Sequence, residues 1–334
     1  MSLQDLLKTA RKRGASDVLV MVGDAPAICV AGHWIRIAEG LLCKDEVDQM
    51  VAELLDEASL QNLQRVRELD FSRSFTDIGR IRCNVHYQRD HLALVLRLLW
   101  PEIPSAQELG IPRHVIATGS LHDGLILVCG ATGSGKSTTL AAIVEFINQT
   151  RDAHVVTVED PIEFIYTNKK SLIEQREVGN DTTTWQAALR NVLRQAPDVI
   201  VLGELRDLES IQMALSAAET GHLVMASVHA TTAIGAVTRI LDVFPSSQIA
   251  QIRLQLSQSI RMVFAQRLIP GRTPNTRALQ YEILMGTKAI QNLIRNSDVD
   301  QISNLIHSGR EHGMMSFAQC RQDLVARGLV AAET

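Results

Sequence analysis

The eight residues Gly130-Ala131-Thr132-Gly133-Ser134-Gly135-Lys136-Ser137 decide the fold. They meet every fixed position of the GxxxxGK[ST] pattern, directly after the apolar run Leu125–Cys129 and at the start of a helical stretch that reaches about Asn148. Chemistry accounts for the spacing. Glycines let successive backbone N–H groups wrap phosphate oxygens, and the helix amino terminus adds partial positive charge. Lys136 is placed for the β- and γ-phosphates and the Ser137 hydroxyl for Mg²⁺; Thr138 completes the candidate phosphate-binding set. A chance match would not also carry the flanking strand and helix, so the segment reads as a nucleoside triphosphate site.

Working outward, three more apolar strands follow at His154–Val158, Asp198–Leu202 and Leu223–Val228, separated by helical stretches. That alternation predicts a largely parallel sheet with helices on its faces. Ligands of such sheets sit at the carboxyl ends of the strands, and each strand here carries useful groups there. The first ends in the phosphate loop, the second in Glu159, Asp160 and Glu163, the third in Gly203 and Glu204, and the fourth in His229. Hydrolysis of a bound triphosphate needs an oriented water, a completed metal shell and stabilised charge on the γ-phosphoryl. Glu204, just past four apolar residues, occupies the usual place of a Walker B carboxylate beside the metal and its waters. Glu163 and Glu159 are both candidates for the water-orienting base in VEDPIEF, where Pro161 stiffens the turn, and Glu163 is preferred. His229 is the candidate γ-phosphate sensor. His222 lies seven residues earlier, roughly 23 Å away along a regular strand and on its opposite face, and reads as structural.

Upstream, the first hundred residues read as a small α+β domain. Leu3, Leu6, Leu7 and Ala10 fall at helical spacing before Gly14, strand-like runs follow at Asp17–Val22 and Ala27–Val30, and amphipathic helices cover about 44–55 and 59–68. Gly79–Leu99 alternates like a strand pair, and Pro101 and Pro104 mark a linker. The expected division is residues 1–100, a linker at 101–112, and 113–334. Beyond Pro245 the chain reads as helical, with Ile249, Ile252, Leu256 and Ile260 on one stripe. A short β stretch at about 279–284 interrupts it, and three helices at about 288–295, 299–308 and 316–327 end the chain.

Composition narrows the function classes. With 33 basic and 37 acidic residues the formal charge is −4, and aromatic residues are 4%. A nucleic-acid translocase would need a basic or aromatic strand-binding groove, so direct nucleic-acid binding is not expected. No apolar run approaches the roughly 18 residues of a membrane span, and the start of the chain lacks a signal-peptide pattern. Five scattered cysteines without a CxxC pair argue against a zinc element and for a reducing, cytoplasmic compartment.

Four boxes in this order, GATGSGKSTTL (130–140), VVTVEDPIEF (155–164), DVIVLGELRD (198–207) and AETGHLVMASVHATTA (218–233), resemble the secretion and pilus ATPase superfamily. QREVGNDTTTWQAALRNVLRQAPD (175–198), AIQNLIRN (289–296), RGASDV (13–18) and GRIRCNVHYQRDHLALVLRLL (79–99) extend the resemblance to the pilus retraction ATPase (PilT-like) family over nearly the whole chain. The resemblance implies an amino-terminal PAS-like domain and a RecA-like P-loop ATPase domain with carboxyl-terminal helices. It also implies a homo-hexamer, with ATP and Mg²⁺ held between the two domains of its subunits. Such a motor powers type IV pilus retraction and twitching motility at the cytoplasmic face of the inner membrane, through an integral platform protein. Ser137 and Glu204 would hold the metal, partly through water. Arg82 and Arg97 match basic residues sent towards the phosphates from the amino-terminal domain, and Arg190 and Arg194 a second pair in the other domain. Departures are Leu19 for a usual histidine, Ala196 for an acid, Ala230 for a threonine, and Gln291 and Asn296 for charged residues in the late helix. Rival readings are an accessory paralogue working beside a main pilus ATPase, a pilus assembly or type II secretion ATPase, and a nucleotide-gated adaptor. A nucleic-acid translocase is the most distant of them.

Overall fold

The computed structural model describes residues 2–99, 102–273 and 276–332. They form two compact units, Met1–Glu102 with Pro161–Ile165, and Ile103–Asp160 with Tyr166–Thr334. Pro101, the first residue of the expected linker, lies outside the described residues, as does Trp100 before it.

The first unit contains helix α1 (Leu3–Lys12), strands β1 (Asp17–Met21), β2 (Ala27–Val30) and β3 (His33–Arg36), helices α2 (Lys44–Ala52) and α3 (Glu57–Val66), and strands β4 (Glu68–Phe75), β5 (Gly79–Gln88) and β6 (His91–Leu98). Ser2 caps α1 by accepting from the Asp5 N–H at 3.2 Å, and Gly14, at φ 66°, turns the chain out of it. The six strands pair antiparallel in the order β3-β2-β1-β6-β5-β4. One face buries Val18, Val20, Ile81, Cys83, Val85, Leu94 and Leu96 against Leu3, Leu6, Leu7, Val47, Met50, Val51 and Leu63 of the helices. The strands β3 and β4 were not expected. HWIR is exposed at all four positions, so no apolar face marks it. Residues 67 and 68 leave the third helix because Arg67 adopts a left-handed conformation at φ 70° and starts the turn into β4.

The second unit opens with α4 (Arg113–Ala117) and runs β7 (Gly124–Cys129), α5 (Lys136–Thr150), β8 (His154–Glu159), β9 (Leu172–Glu177), α6 (Trp185–Val192), β10 (Val199–Leu202), α7 (Leu208–Glu219), β11 (Leu223–Val228), α8 (Ala233–Asp242) and α9 (Ser246–Ser259). It closes with the hairpin β12 (Ile260–Pro270) and β13 (Arg277–Met285), then α10 (Lys288–Asn296), α11 (Ile302–Ser308) and α12 (Phe317–Ala326). The sheet order is β13-β12-β7-β11-β10-β8-β9, parallel throughout except for the β12–β13 pair. Successive side chains of the central strands enter opposite cores. Leu125, Leu127, Ile200, Leu202, Val224, Ala226, Val263 and Ala265 face one, with α6 to α11. Ile126, Val128, Val199, Val201, Leu223, Met225, Met262 and Phe264 face the other, with α4 and α5.

The segment from Ile260 corrects the helical reading. Ile260 ends the α9 stripe but begins an eleven-residue strand that pairs with β7 on one side and β13 on the other. Burial on both faces makes Met262–Ala265 a continuous apolar run without the alternation that identifies half-exposed strands. The polar edge strand β9 was also not foreseen.

Candidate functional site

Strand register brings the ends of the central strands level. Cys129 of β7 pairs with Val228 of β11, so Gly130 and His229 leave the sheet side by side. One strand further, Leu202 of β10 pairs with Ala226 of β11 and with Val158 of β8, which brings Gly203 and Glu159 to the same edge.

The phosphate loop turns on left-handed glycines, Gly133 at φ 77° and Gly135 at φ 90°, the latter being the residue that caps α5. Only glycine holds such angles without strain. Lys136 Nζ donates to the Gly130 and Ala131 carbonyls at 3.0 and 3.1 Å, which lays the ammonium across the loop. Ser137 and Thr138 follow on the first turn of α5, Ser137 exposed. The Cys129 thiol beneath the loop has its pKa pushed up to about 12, chiefly by burial, with the charge of Glu282 adding and Lys136 opposing. It is a packing group.

Glu204 meets two partners. One carboxylate oxygen lies 2.8 Å from Arg206 Nη2 and the other 3.2 Å from His229 Nε2, with the side chain 16% exposed. The turn that carries it is fixed by the Ser227 hydroxyl, which donates to the Gly203 carbonyl at 2.5 Å, and by the Leu205 N–H, which donates to Ser227 O at 2.9 Å. Glu159 accepts from the Thr157 hydroxyl at 2.7 Å and from Gln175 Nε2 at 3.2 Å. Glu163 lies in the segment Pro161–Ile165 that groups with the first unit, where the neighbouring Ile162 carbonyl accepts from Arg80 Nε at 2.7 Å. His222 Nδ1 sits 3.0 Å from Ala217 O, closing the end of α7.

The candidate arginines all have local partners. Arg82 and Arg97 face each other across β5 and β6, and this like-charged pair is offset by Asp70 at 3.9 Å and Asp17 at 2.8 Å. Arg190 lies 3.7 Å from Glu209 of α7, and Arg194 donates to the Arg190 carbonyl at 2.8 Å.

Three residues at this edge were not found from the sequence. Arg206, two residues beyond Glu204, reaches back to its carboxylate, and nothing in the box DVIVLGELRD marks it for that contact. Gln266 of β12 is 2% exposed, donates from Nε2 to the Ser134 carbonyl at 2.7 Å and accepts from the Thr139 hydroxyl at 2.7 Å. Glu282 of β13 accepts from the Ala233 N–H at 2.9 Å, at the start of α8 and four residues beyond His229. Burial raises the pKa of Glu282, and the Ala233 bond opposes it. Neither stands alone as a polar residue in an apolar run, since Arg267 follows Gln266 and Gln280 precedes Glu282 by two residues; only reading 260–285 as a hairpin brings them to this edge.

Magnesium takes hard oxygen donors, usually one or two from protein and the rest from phosphates and water. The Ser137 hydroxyl and the Glu204 carboxylate are donors of this kind. Among the described residues, no group of three or more His, Cys, Asp or Glu side chains gathers to hold a metal.

Comparison with known proteins gives a consistent result. A family model described as "Type II/IV secretion system protein" matches residues 111–330. The chain is 39% identical over 333 residues to the "Type IV pilus retractation ATPase PilT" of Pseudomonas aeruginosa, covering 100% of this chain and 96% of that protein. It is 34% identical over 333 residues to the "Type IV pilus ATPase PilU" of the same organism, covering 100% and 87%. The crystal structure of the pilus retraction motor PilT with bound ADP superposes with a TM-score of 0.92 at 40% identity, covering 99% of this chain and 95% of that one.

Proposed function

The chain belongs to the type II/IV secretion system protein family as a PilT-like ATPase, and on that premise we propose that it is a hexameric motor that hydrolyses ATP to power type IV pilus retraction. The observation that carries this reading is the end-to-end likeness to a pilus retraction ATPase, which includes the first unit as well as the phosphate-loop sheet. Likeness to a retraction ATPase and to a structure with bound ADP supports nucleotide binding.

In the proposed site, Gly130–Thr138 cradle the phosphates and Lys136 exchanges its loop carbonyls for the β- and γ-oxygens. Ser137 would hold Mg²⁺, with Glu204 acting partly through water; the bound ion would neutralise charge on the phosphate oxygens. His229, tied to Glu204 and level with Gly130, senses the γ-phosphate. Glu163 orients the attacking water, with Glu159 the alternative. Arg82 and Arg97 supply positive charge to the phosphates. Two arginines directly opposite each other on a sheet repel, and an anion placed over both would relieve that repulsion. Arg190 and Arg194 form a second pair that gives up Glu209 and a helix carbonyl when it engages.

The proposed division is a PAS-like domain at 1–100, a linker at 101–112 and the ATPase domain at 113–334. The motor acts at the cytoplasmic face of the inner membrane through an integral platform protein; among the described residues no helix is long and apolar enough to cross a membrane. A second reading, an accessory motor beside a paralogous pilus ATPase, is favoured by the uncharged Gln291 and Asn296, which stand outside the buried stripe of Ile290 and Ile294 on α10.

The test is steady-state ATP turnover of the purified protein beside a Lys136→Ala control, with mass in solution measured with and without nucleotide. Magnesium-dependent turnover in a hexamer, lost in the control, supports the main motor. A hexamer that binds ATP but turns over only when a paralogue is added supports the accessory reading. A monomer without turnover in either condition contradicts both.

A further inference from the structure

Gln266 stands 127 residues from Thr139 in sequence, yet its amide ties the phosphate loop at Ser134 to the first turn of α5 at Thr139. The Ser134 carbonyl can only accept, so the amide nitrogen must face it, and the amide oxygen is left for the Thr139 hydroxyl. One arm thus holds the turn and the other the first full turn of α5. The loop packs closely on this strand. A Cβ on Gly135 would lie 3.2 Å from Gln266 Nε2, and one on Gly130 would lie 2.4 Å from both the backbone carbonyl oxygen of residue 266 and Ser134 Oγ.

The strand beneath is itself fixed. Ala265 pairs with Cys129, which puts Gln266 level with the start of the loop. On the next residue, Arg267 Nε donates to Gln280 Oε1 at 2.9 Å and its guanidinium lies 4.8 Å from the Phe317 ring centroid. Gln280 Nε2 in turn donates to Phe317 O at 2.7 Å. A buried amide with both ends satisfied, on a strand pinned from the other face, holds a loop to one shape.

We propose that Gln266 is a positioning residue for nucleotide binding, setting the phosphate loop in the conformation whose N–H groups grip the phosphates. It touches no substrate atom. The loop grips phosphates that are present in both the ground and the transition state, so loosening it raises KM for ATP and leaves kcat nearly unchanged. The inference rests only on the chain's being an ATPase, and parent turnover in the same assay checks that premise separately.

The experiment measures KM and kcat for ATP in Gln266→Leu, Thr139→Val and the double variant, with melting temperature and oligomeric mass alongside. Each buried hydrogen bond of this kind is worth about fivefold in an equilibrium, so Gln266→Leu should raise KM about tenfold or more and Thr139→Val about three- to fivefold. Once the amide is gone the Thr139 arm has nothing to hold, so the double variant should match Gln266→Leu rather than multiply the two effects. Unchanged KM in folded variants, a fall in kcat alone, or independent multiplying effects would each overturn the proposal. If Gln266→Leu does not fold, Thr139→Val decides alone: a raised KM supports the clamp and an unchanged KM overturns it.

Discussion

Replacing Glu204 by glutamine separates charge from shape at the strand edge. The carboxylate is 16% exposed, 2.8 Å from Arg206 and 3.2 Å from His229. An amide of the same size can keep its oxygen towards Arg206, but its NH₂ must then face His229 Nε2. That nitrogen can accept only in the tautomer that carries its proton on Nδ1. The variant therefore loses a negative charge and fixes the imidazole without a proton at Nε2. Its effect on stability should be small, because Arg206 is 64% exposed and such ion pairs are worth about 0–1 kcal/mol. The melting temperature should move by no more than about 2–4 °C. Its effect on turnover should be large, since a carboxylate or imidazole acting on a proton or a metal-bound water is worth about 10²–10⁴ in rate. Phosphate release should fall by that factor, while a fluorescent ATP analogue binds within about fivefold of the parent, a range set by the roughly 0–1 kcal/mol worth of the lost pair. Turnover within threefold of the parent, in a folded variant, would refute the assignment of Glu204.

Glu282→Gln tests a buried carboxylate through pH. Its folded pKa is raised by burial, so the protonated form favours the fold; that advantage is complete below the unfolded value and is lost as pH rises through the folded one. The amide keeps an acceptor for the Ala233 N–H, so the variant should melt higher than the parent at pH 7–8, with the gain shrinking as pH falls towards 4.5; a pH-independent difference would contradict this. Gly130→Ala would set a Cβ 2.4 Å from the Gln266 carbonyl oxygen, a backbone atom that cannot swing away. Overpacking of about 1–3 kcal/mol predicts roughly 5- to 150-fold weaker nucleotide binding in a titration, and parental affinity would show that the loop yields. Phe264, fully buried with its ring centroid 5.4 Å from that of Tyr281, should cost about 3–5 kcal/mol when cut to alanine, read from urea unfolding.

Much of the second unit was legible because its strands end in chemistry. Leu125–Cys129 followed by a glycine loop fixes a strand, a turn and a helix at once, and three more apolar runs with acids or histidine at their ends order the rest of the candidate edge. What escaped lay where local pattern and tertiary role part company. The run Met262–Ala265 is apolar on both faces because a helix layer covers each side of the sheet, so it shows no period-2 signal, and Ile260 just before it continues the α9 stripe. Edge strands β3 and β9 escaped for the opposite reason, having little or no buried face to betray them. At the site, the strand-end positions of Glu204 and His229 were readable, whereas their 3.2 Å contact depends on register between β10 and β11. Gln266 and Glu282 act across 127 and 49 residues of chain, and nothing in their own neighbourhoods announces the loop or the helix they hold.

Retraction of single pili, measured as pulling on beads tethered to cells in which this chain is the sole retraction ATPase, tests the central claim most directly. Cells carrying the parent should pull, and cells carrying Lys136→Ala should display pili that never shorten. Pulling that persists with Lys136→Ala, or cells without the chain that fail to make pili at all, would contradict an ATP-driven retraction motor.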